Sequence, residues 1–300
     1  MSRTGRWLLV TDGDVRELVD LVGTMPTRVV ELGPRAITGF VGRELWAVDG
    51  GALVRLVPTD LRPVAPPLRL PPPIAAGVTA ILATGGPALA EAVLIGQPPW
   101  RVSQRGDGLS FEAIGEVRAD ERLMAGLGAR LYLATSDTVR ALERGRELWR
   151  MPKFDGQVLD VVNLFAGRAI AVLVRREADD AVVVVQAHGQ RIHQLVVPTS
   201  VSWSVAEELG HAFLLGTDGE IHRVDLRYGR VLSASRPTVE CTQLVVDQDG
   251  RHSVVVTADG GEVIHLQAAE LLNTASGSSA GIAIEEPAPD DDAPVDPADS

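Results

Sequence analysis

GHAFLLGTDGEIHRVDL (residues 210–226) and RHSVVVTADGGEVIHLQ (residues 251–267) share one layout, in which a short apolar run, an Asp-Gly turn and a second apolar run follow one another. The Asp-Gly pair is typical of tight hairpin turns, because glycine adopts positive φ freely and aspartate tolerates it. Each stretch therefore predicts a β-hairpin. The two stretches begin about 41 residues apart, which predicts a repeated structural unit of that length.

The same turn pattern recurs along most of the chain. Clear hairpin turns lie about 40 residues apart, with one gap of about 87 residues, and centre near Asp12, Asp49, Ser136, Asp179, Asp218 and Asp259. The double gap predicts a further turn near residue 92. Units of about 40 residues with four short strands are the signature of β-propeller blades. We therefore predict an all-β propeller over residues 1–272 with seven blades, and closure with six blades is the alternative.

One unit shows the expected strands most clearly. After residue 200, apolar runs and turns alternate so that strands are predicted at 201–206, 211–216, 220–225 and 231–235. Several runs, such as AVVVVQ at 181–186, are apolar without alternation. Such runs are expected in sheets that are buried on both faces between neighbouring blades.

The pentapeptide GRELW occurs at 42–46 and at 145–149, about two and a half periods apart. The two copies therefore cannot occupy equivalent strands. We predict that 44–48 is the second strand of its blade and that 147–151 is an outer, fourth strand. Trp46 and Trp149 are then expected between blades. Trp100 follows two prolines and is also interpreted as a core residue, with an exposed interface tryptophan as the alternative.

Two hairpins carry a family resemblance. DTVRALERGRELWRMP (137–152) resembles the PQQ-type repeat of quinoprotein-like propellers, in which a strand, a turn with glycine and a strand ending in Leu-Trp recur. EIHRVDLRYGRVLSASRP (220–237) is similar, with Ser233 where tryptophan would stand. The resemblance implies the propeller scaffold. The enzymes of that family are larger, exported and calcium-dependent and carry an adjacent cysteine pair, whereas Cys241 is the only cysteine here, so no PQQ cofactor is expected.

Charge and composition narrow the class of partner. The chain has a formal net charge of −12, and residues 273–300 contain seven acidic residues and no lysine or arginine. An acidic protein is not attracted to nucleic acid or to anionic lipid. No apolar run reaches the ~20 residues of a membrane span. The first residues lack the apolar segment and cleavage site of a signal peptide, which predicts a cytoplasmic protein.

The acidic segment 273–300 is predicted to be a disordered tail, because its low apolar content cannot offset the entropy of ordering. The first blade begins directly at the strands near Trp7 and Val15 and is expected to lack its innermost strand. The alternative for the tail is that GIAIEE (281–286) returns to supply that strand.

Few residue patterns suggest chemistry. His222 and His265 occupy matching positions in consecutive units and, with Glu220 or Glu262, have the side chains of a zinc site; packing at repeat positions is the preferred interpretation. Asp247-x-Asp249-Gly250 has two carboxylates of a calcium loop but is interpreted as a hairpin turn. The histidines and carboxylates considered for these two metal sites are His211, Glu220, His222, Asp247, Asp249, His252, Glu262 and His265.

Common catalytic motifs are missing from the sequence. Lys153 is the only lysine and does not end a glycine-rich loop, which excludes a Walker phosphate site. GxSxG does not occur, and the Gly-rich pieces precede predicted strands instead of helices. Cys241 is interpreted as a small buried side chain and not as a nucleophile. We therefore assign no catalytic, cofactor-binding or metal-binding residue from the sequence.

The sequence thus predicts a non-catalytic scaffold that binds another protein through loops on one face of a propeller. Its architecture and composition also resemble the propeller component of bacterial systems that combine a MoxR-type ATPase with a von Willebrand factor A protein. That resemblance implies one of those proteins as partner. The alternative is a hydrolase or lactonase with a metal at the central channel, for which Asp, Glu, Asn or His side chains from different blades must converge there.

Overall fold

A computed structural model describes residues 1–2, 4–85, 90–105, 108–115, 117–237, 239–257, 263–267 and 284–285. Within these ranges the strands form seven antiparallel sheets, which follow one another along the chain. One short α-helix, α1 (Pro72–Ala75), precedes the third sheet. The same ranges contain no helix with both the length and the apolar character needed to cross a bilayer.

The first three sheets cover the amino-terminal part of the chain. The first contains β1 (Trp7–Asp12), β2 (Val15–Asp20) and β3 (Arg28–Val29). The second contains β4 (Ile37–Val41), β5 (Glu44–Asp49), β6 (Ala52–Leu56) and β7 (Leu68–Arg69). The third contains β8 (Ala80–Ala83), β9 (Glu91–Ile95), β10 (Trp100–Arg105) and β11 (Gly108–Ala113).

The fourth sheet contains β12 (Arg122–Leu127), β13 (Arg130–Ala134), β14 (Val139–Glu143) and β15 (Arg146–Arg150). The fifth contains β16 (Gln157–Leu164), β17 (Ala169–Arg175), β18 (Asp180–Gln186) and β19 (Arg191–Val197). The sixth contains β20 (Ser200–Ala206), β21 (His211–Gly216), β22 (Ile221–Asp225) and β23 (Arg230–Ser235). The seventh contains β24 (Cys241–Val246), β25 (His252–Thr257) and β26 (Val263–Gln267).

The predicted strand positions are largely confirmed. The four strands of the sixth sheet lie within one residue of those predicted after residue 200. The first GRELW copy enters β5, the second strand of its sheet, and the second copy forms β15, the fourth strand. The strands predicted near Trp7 and Val15 are β1 and β2.

The turn predicted near residue 92 is wrong, because that position lies inside β9. The corresponding turn spans 96–99, between β9 and β10. The turn lies further along the chain than predicted because the second unit is lengthened before the third sheet begins. The 57–67 connection and α1 supply the additional residues. Interpolation between evenly spaced turns could not detect such an insertion.

The cores lie between successive sheets. In β18, Ala181, Val183 and Val185 pack with the fourth sheet, whereas Val182 and Val184 pack with the sixth. Side chains alternate between the two faces of a strand, so burial on both faces requires apolar residues at every position. This explains the unbroken valine run in the sequence.

Hydrogen bonds between turns connect neighbouring sheets. The amide of Gly128 donates to the Thr84 carbonyl (2.7 Å), that of Phe165 to the Glu207 carbonyl (3.0 Å) and that of Glu208 to the Gln248 carbonyl (3.1 Å). The first and last sheets also meet, since a Cβ at Gly5 would lie 2.3 Å from Asp247 Oδ2. The predicted all-β propeller is confirmed. The count of six or seven blades in its ring stays a prediction.

The described part of the carboxyl-terminal segment lies elsewhere than predicted. Ile284–Glu285 form strand β27, which pairs with β19 at the outer edge of the fifth sheet. The alternative that 281–286 would complete the first sheet is therefore wrong for these two residues. An edge strand offers unpaired backbone groups to any extended segment, and β19 provides such an edge. The other residues of 273–300 lie outside the described ranges.

Candidate functional site

The two ends of the sheets present different sets of loops. Because the strands are antiparallel, the turns between second and third strands emerge on the same side as the connections from one sheet to the next. We call this side the turn face; its hairpin turns include 50–51, 96–99, 135–138, 176–179 and 217–220. The opposite face carries the turns between first and second strands, such as 207–210 and 247–251.

First strands of four consecutive sheets share an irregularity near the turn face. The pairing register shifts by one residue in β12, β16, β20 and β24, which leaves one extra residue in each strand. The extra residues are Met124, Leu159, Val201 and Thr242. Bulges of this kind redirect a side chain away from the regular pleat. Val201 is the most notable, because it is apolar and 55% exposed.

Two grooves flank Val201 on the turn face. The first, of about 580 Å³, lies between the fifth and sixth sheets and includes Asp160, Arg175 and Trp203 in its lining. The second, of about 480 Å³, lies between the sixth and seventh sheets and includes Arg236 in its lining. Val201 and Thr217 line both grooves, so the exposed valine stands between them.

Asp180 anchors the strand that carries Val201. Its carboxylate is fully buried and accepts hydrogen bonds from Arg175 Nε (2.6 Å) and Nη2 (3.1 Å) and from the Ser200 amide (2.8 Å) and Oγ (2.7 Å). Arg175 Nη2 also donates to the Ser200 carbonyl (2.6 Å). These charge-assisted bonds join the fifth sheet to the first residue of β20. They hold the backbone next to the bulge in place.

Asp160 links the same two sheets inside the first groove. Its Oδ2 accepts a hydrogen bond from Trp203 Nε1 (2.9 Å), and its Oδ1 accepts one from the Val161 amide (2.8 Å). Burial raises the pKa of Asp160 above its ordinary value, and this effect exceeds the lowering by the two hydrogen bonds and by the charge of Arg122. The protonated form is therefore favoured more in the folded chain than in the unfolded chain.

We expect the fluorescence of Trp203 to report this titration. Because the pKa of Asp160 is higher in the folded chain than in the unfolded chain, the protonated carboxyl group contributes to stability. This contribution is fully present below the ordinary pKa and is lost as the pH rises through the folded pKa. A pH titration of tryptophan emission should therefore show a transition above the ordinary aspartate pKa of about 3.9. The transition should disappear in Asp160→Asn. A transition of equal size and midpoint in that variant would contradict the assignment.

Of the residues considered for zinc, the structure brings two together and adds a third. Donor atoms of Asp218, Glu220 and His222 all lie within 4.8 Å of one another. Glu262 lies outside the described ranges, and of His265 the structure describes the backbone strand alone. Asp218 was weighed in the sequence only as a turn residue. Its position two residues before Glu220 and four before His222 was the available signal, because residues this close in sequence can meet across a tight turn.

The other candidates have structural surroundings. Asp247 is buried, and its Oδ1 accepts hydrogen bonds from the amides of Arg251 (2.7 Å) and His252 (3.1 Å), as in a hairpin turn. Cys241 is buried, and burial raises the pKa of its thiol. Lys153 is exposed and pairs with Asp137 at 2.8 Å.

The tryptophans lie in or against the cores. Trp46 is fully buried between the second and third sheets, and its Nε1 donates to Glu44 Oε2 (2.7 Å). Trp149 Nε1 donates to the Ala187 carbonyl of the fifth sheet (2.9 Å), which joins the fourth sheet to the fifth. Gly189 has φ +96°, and a Cβ there would lie 2.8 Å from the Trp149 ring. Half-buried Trp100 packs against the core between the second and third sheets.

Comparison with known proteins identifies the fold. No protein-family model matches the chain, and no curated protein matches its sequence. The β-propeller domain of Cps50 (Swd1) from Myceliophteria thermophila is similar, with a TM-score of 0.63, 13% identity and coverage of 89% of this chain and 95% of that chain. Hydrazine synthase from Kuenenia stuttgartiensis gives a TM-score of 0.63, 12% identity and coverage of 90% and 94%.

A third similar structure is that of a complex. BBS1N in complex with ARL6DN gives a TM-score of 0.61 and 15% identity, and the match covers 86% of this chain and 85% of that chain. At such identities the likeness shows the fold alone, which is the β-propeller. A propeller scaffold supports many unrelated functions, so the function has to be argued from the residues of this chain.

Proposed function

We propose that this chain is a non-catalytic scaffold that binds another protein through the turn face, with Val201 as an apolar anchor between the two grooves. The observation that supports this most strongly is the position of Val201, which a bulge places 55% exposed between cavities of about 580 and 480 Å³. Protein interfaces combine an apolar centre with a polar rim. Arg175, Asp218 and Arg236 provide polar groups around this valine.

The anchoring of β20 also supports binding by a rigid surface. Asp180 fixes Ser200 directly beside the bulge through two hydrogen bonds. An interface whose backbone is already ordered loses less conformational entropy on association. The anchor is therefore held in position before a partner arrives.

The alternative of a hydrolase with a metal at the central channel has less support. It requires donor side chains from several blades, whereas Asp218, Glu220 and His222 all belong to the β21–β22 hairpin. In the first groove, Asp160 is the one carboxylate among the lining residues, and it already accepts two hydrogen bonds. The likeness to hydrazine synthase is one of fold and does not favour catalysis here.

The class of partner stays a hypothesis. BBS1N, a similar fold, is seen in complex with ARL6DN, which is consistent with a propeller that binds protein. A MoxR-type ATPase or a von Willebrand factor A protein is the partner that the architecture and composition suggest. We also propose that the protein is cytoplasmic and that it shares the propeller scaffold of the quinoprotein-like family without binding PQQ.

We also propose that the seven sheets are seven blades of one closed ring, with the propeller ending near residue 272 and an acidic tail beyond it. The seven sheets, the cores between successive sheets and the approach of Gly5 to Asp247 support this count. Six blades remain the alternative.

Val201→Asp is expected to reduce the amount of co-purified partner at least tenfold when tagged protein is isolated from the source organism. A buried carboxylate at the anchor would lose its hydration without a compensating partner. Val22→Asp is a matched control, because Val22 is 54% exposed and lies on the opposite face. Its neighbour Leu21 donates to the Arg6 carbonyl (2.8 Å), next to Gly5, which approaches Asp247 in the 247–251 turn of that face. This control should retain the stoichiometric partner, and both variants should keep the thermal stability of the parent.

Two outcomes would contradict the proposal. The first is an equal loss of partner in Val201→Asp and Val22→Asp. The second is a monodisperse chain without any partner that turns over a small molecule.

A further inference from the structure

We infer that Asp218, Glu220 and His222 form a binding site for a divalent transition-metal ion of the zinc class. The donor atoms of the three side chains lie within 4.8 Å of one another. His222 lies in β22, Glu220 directly precedes this strand, and Asp218 lies in the turn before it. The site thus uses one local segment of the chain.

The spacing of the donors suits a small cation. Ligands at about 2.0–2.1 Å in tetrahedral geometry lie roughly 3.3 Å apart. Atoms within 4.8 Å reach that spacing through small side-chain rotations. Asp218 is exposed and Glu220 is half-buried, so both carboxylates have room to adjust around an ion.

The buried histidine provides an independent indication. His222 is 8% exposed, and its Nε2 has no hydrogen-bond partner among the described residues. An unsatisfied buried polar group costs about 1–3 kcal/mol, and native structures contain few of them. In metal sites an imidazole binds the ion through one nitrogen, and the protein environment fixes the other. The histidine beside two carboxylates is therefore better explained by a ligand than by packing alone.

The existing hydrogen bonds leave capacity for the ion. Asp218 Oδ1 accepts the Glu220 amide (3.0 Å), and a carboxylate has about four acceptor sites. Arg236 Nη2 donates to the Asp218 main-chain carbonyl (3.0 Å) and places a positive charge near the site. Arg236 is exposed, so solvent screens this charge and the side chain is free to turn away.

The donor set indicates the kind of metal. Imidazole nitrogen with carboxylate oxygen suits zinc and its first-row neighbours, whereas calcium and magnesium prefer oxygen ligands alone. Three protein ligands leave one tetrahedral position for water. The site also lies on the turn face, since Asp218 lines the second groove.

The test is zinc titration of the purified full-length chain after removal of metals with a chelator. Calorimetry with zinc chloride should detect one ion per chain, and cobalt should produce the visible absorption of a four- or five-coordinate site. His222→Ala and Glu220→Gln should each weaken zinc binding by more than about 100-fold, beyond the 10- to 100-fold effect typical of groups that only orient ligands. His211→Ala is the control, because half-buried His211 bonds Arg223 (2.9 Å) and is outside the cluster.

Absence of zinc binding at micromolar concentrations would overturn the inference. Unchanged zinc binding in Glu220→Gln would also overturn it, because the ion would then be bound by other groups, such as the carboxylates of 273–300. Equal loss in His211→Ala would also overturn it. Glu220→Gln is isosteric and only half-buried, so it keeps the test decisive if His222→Ala does not fold. The titration needs no protein partner, so its outcome is independent of the proposed scaffold function.

Discussion

Replacing Asp180 by alanine is expected to lower the free energy of unfolding by about 2–4 kcal/mol, because the buried amide and hydroxyl of Ser200 each lose their acceptor at a cost of about 1–3 kcal/mol. Arg175 is 37% exposed, so water can hydrate its guanidinium in the variant. The carboxylate is fully buried and accepts four hydrogen bonds, two from Arg175 and two from Ser200. Alanine would leave the guanidinium and the Ser200 amide without their partner. Because the bonds join the fifth sheet to β20, the loss weakens a contact between sheets as well as one within a sheet.

Chemical denaturation of the variant and the parent measures this effect. Asp179→Ala is the matched control, since Asp179 is the neighbouring residue and pairs with Arg176 at 2.6 Å, but its carboxylate is 30% exposed where that of Asp180 is fully buried. Pairs that solvent reaches contribute about 0–1 kcal/mol. An Asp180→Ala variant that is no less stable than Asp179→Ala would show that the four hydrogen bonds do not hold the two sheets together.

Arg140→Met is expected to destabilise the chain by a similar amount, about 3–5 kcal/mol. Arg140 and Glu121 have side-chain exposures of 4% and 1%. The guanidinium makes two bonds to the carboxylate, with Nε–Oε1 and Nη2–Oε2 distances of 2.6 Å each. Methionine fills a similar volume but leaves Glu121 charged, buried and without its main partner.

A double variant separates the cost of an unpaired charge from the cost of lost packing. Arg140→Met combined with Glu121→Leu removes both charges, and such replacements are often neutral or stabilising. The double variant should therefore be more stable than Arg140→Met alone. Arg150→Met is the control, because Arg150 forms an exposed pair with Glu147 (2.8 Å) and should contribute about 0–1 kcal/mol. A double variant less stable than the single one would contradict this account.

The same pair gives an expected pH dependence. Burial has the largest influence on the pKa of Glu121 and raises it, but bonds from Arg140 and from the Arg118 amide, together with the Arg140 charge, hold this pKa below its ordinary value. A lowered folded pKa contributes stability above the unfolded pKa, and this stability is lost as the pH falls through the folded pKa. The stability difference between the parent and Arg140→Met should therefore shrink below pH about 4.

The hairpins could be predicted from the sequence because their causes are local. Asp49 precedes Gly50 and Gly51, both of which adopt positive φ, and Asp218 precedes Gly219, which also does. Apolar runs such as 181–186 predicted buried strands correctly, because each residue of β18 packs into the core on one side of the sheet or the other. The repeat length and the residues of the turns were together sufficient to predict the propeller.

The bulge at Val201 could not be predicted, because it depends on register between β20 and β21 and no turn residue or glycine marks it. The Asp180 network escaped prediction for a related reason. Its partners, Arg175 and Ser200, lie 5 and 20 residues away and meet only after the sheets have packed. A period of about 40 residues gives no information about such contacts.

The proposed metal site is an intermediate case. The sequence brought His222 and Glu220 into consideration through repeat positions, with histidines of different blades as the expected combination. The structure instead places Asp218 with them from the same hairpin. Attention to the turn directly before β22 would have brought Asp218 into consideration, whereas the comparison between blades did not.

The central claim is that the turn face around Val201 binds another protein. Hydrogen–deuterium exchange of the chain with and without its co-purified partner tests it most directly. We expect protection at 199–203 and 217–219 in the complex, with unchanged exchange at 207–210 and 226–229 on the opposite face. Protection confined to the opposite face, or no change at 199–203, would contradict the account.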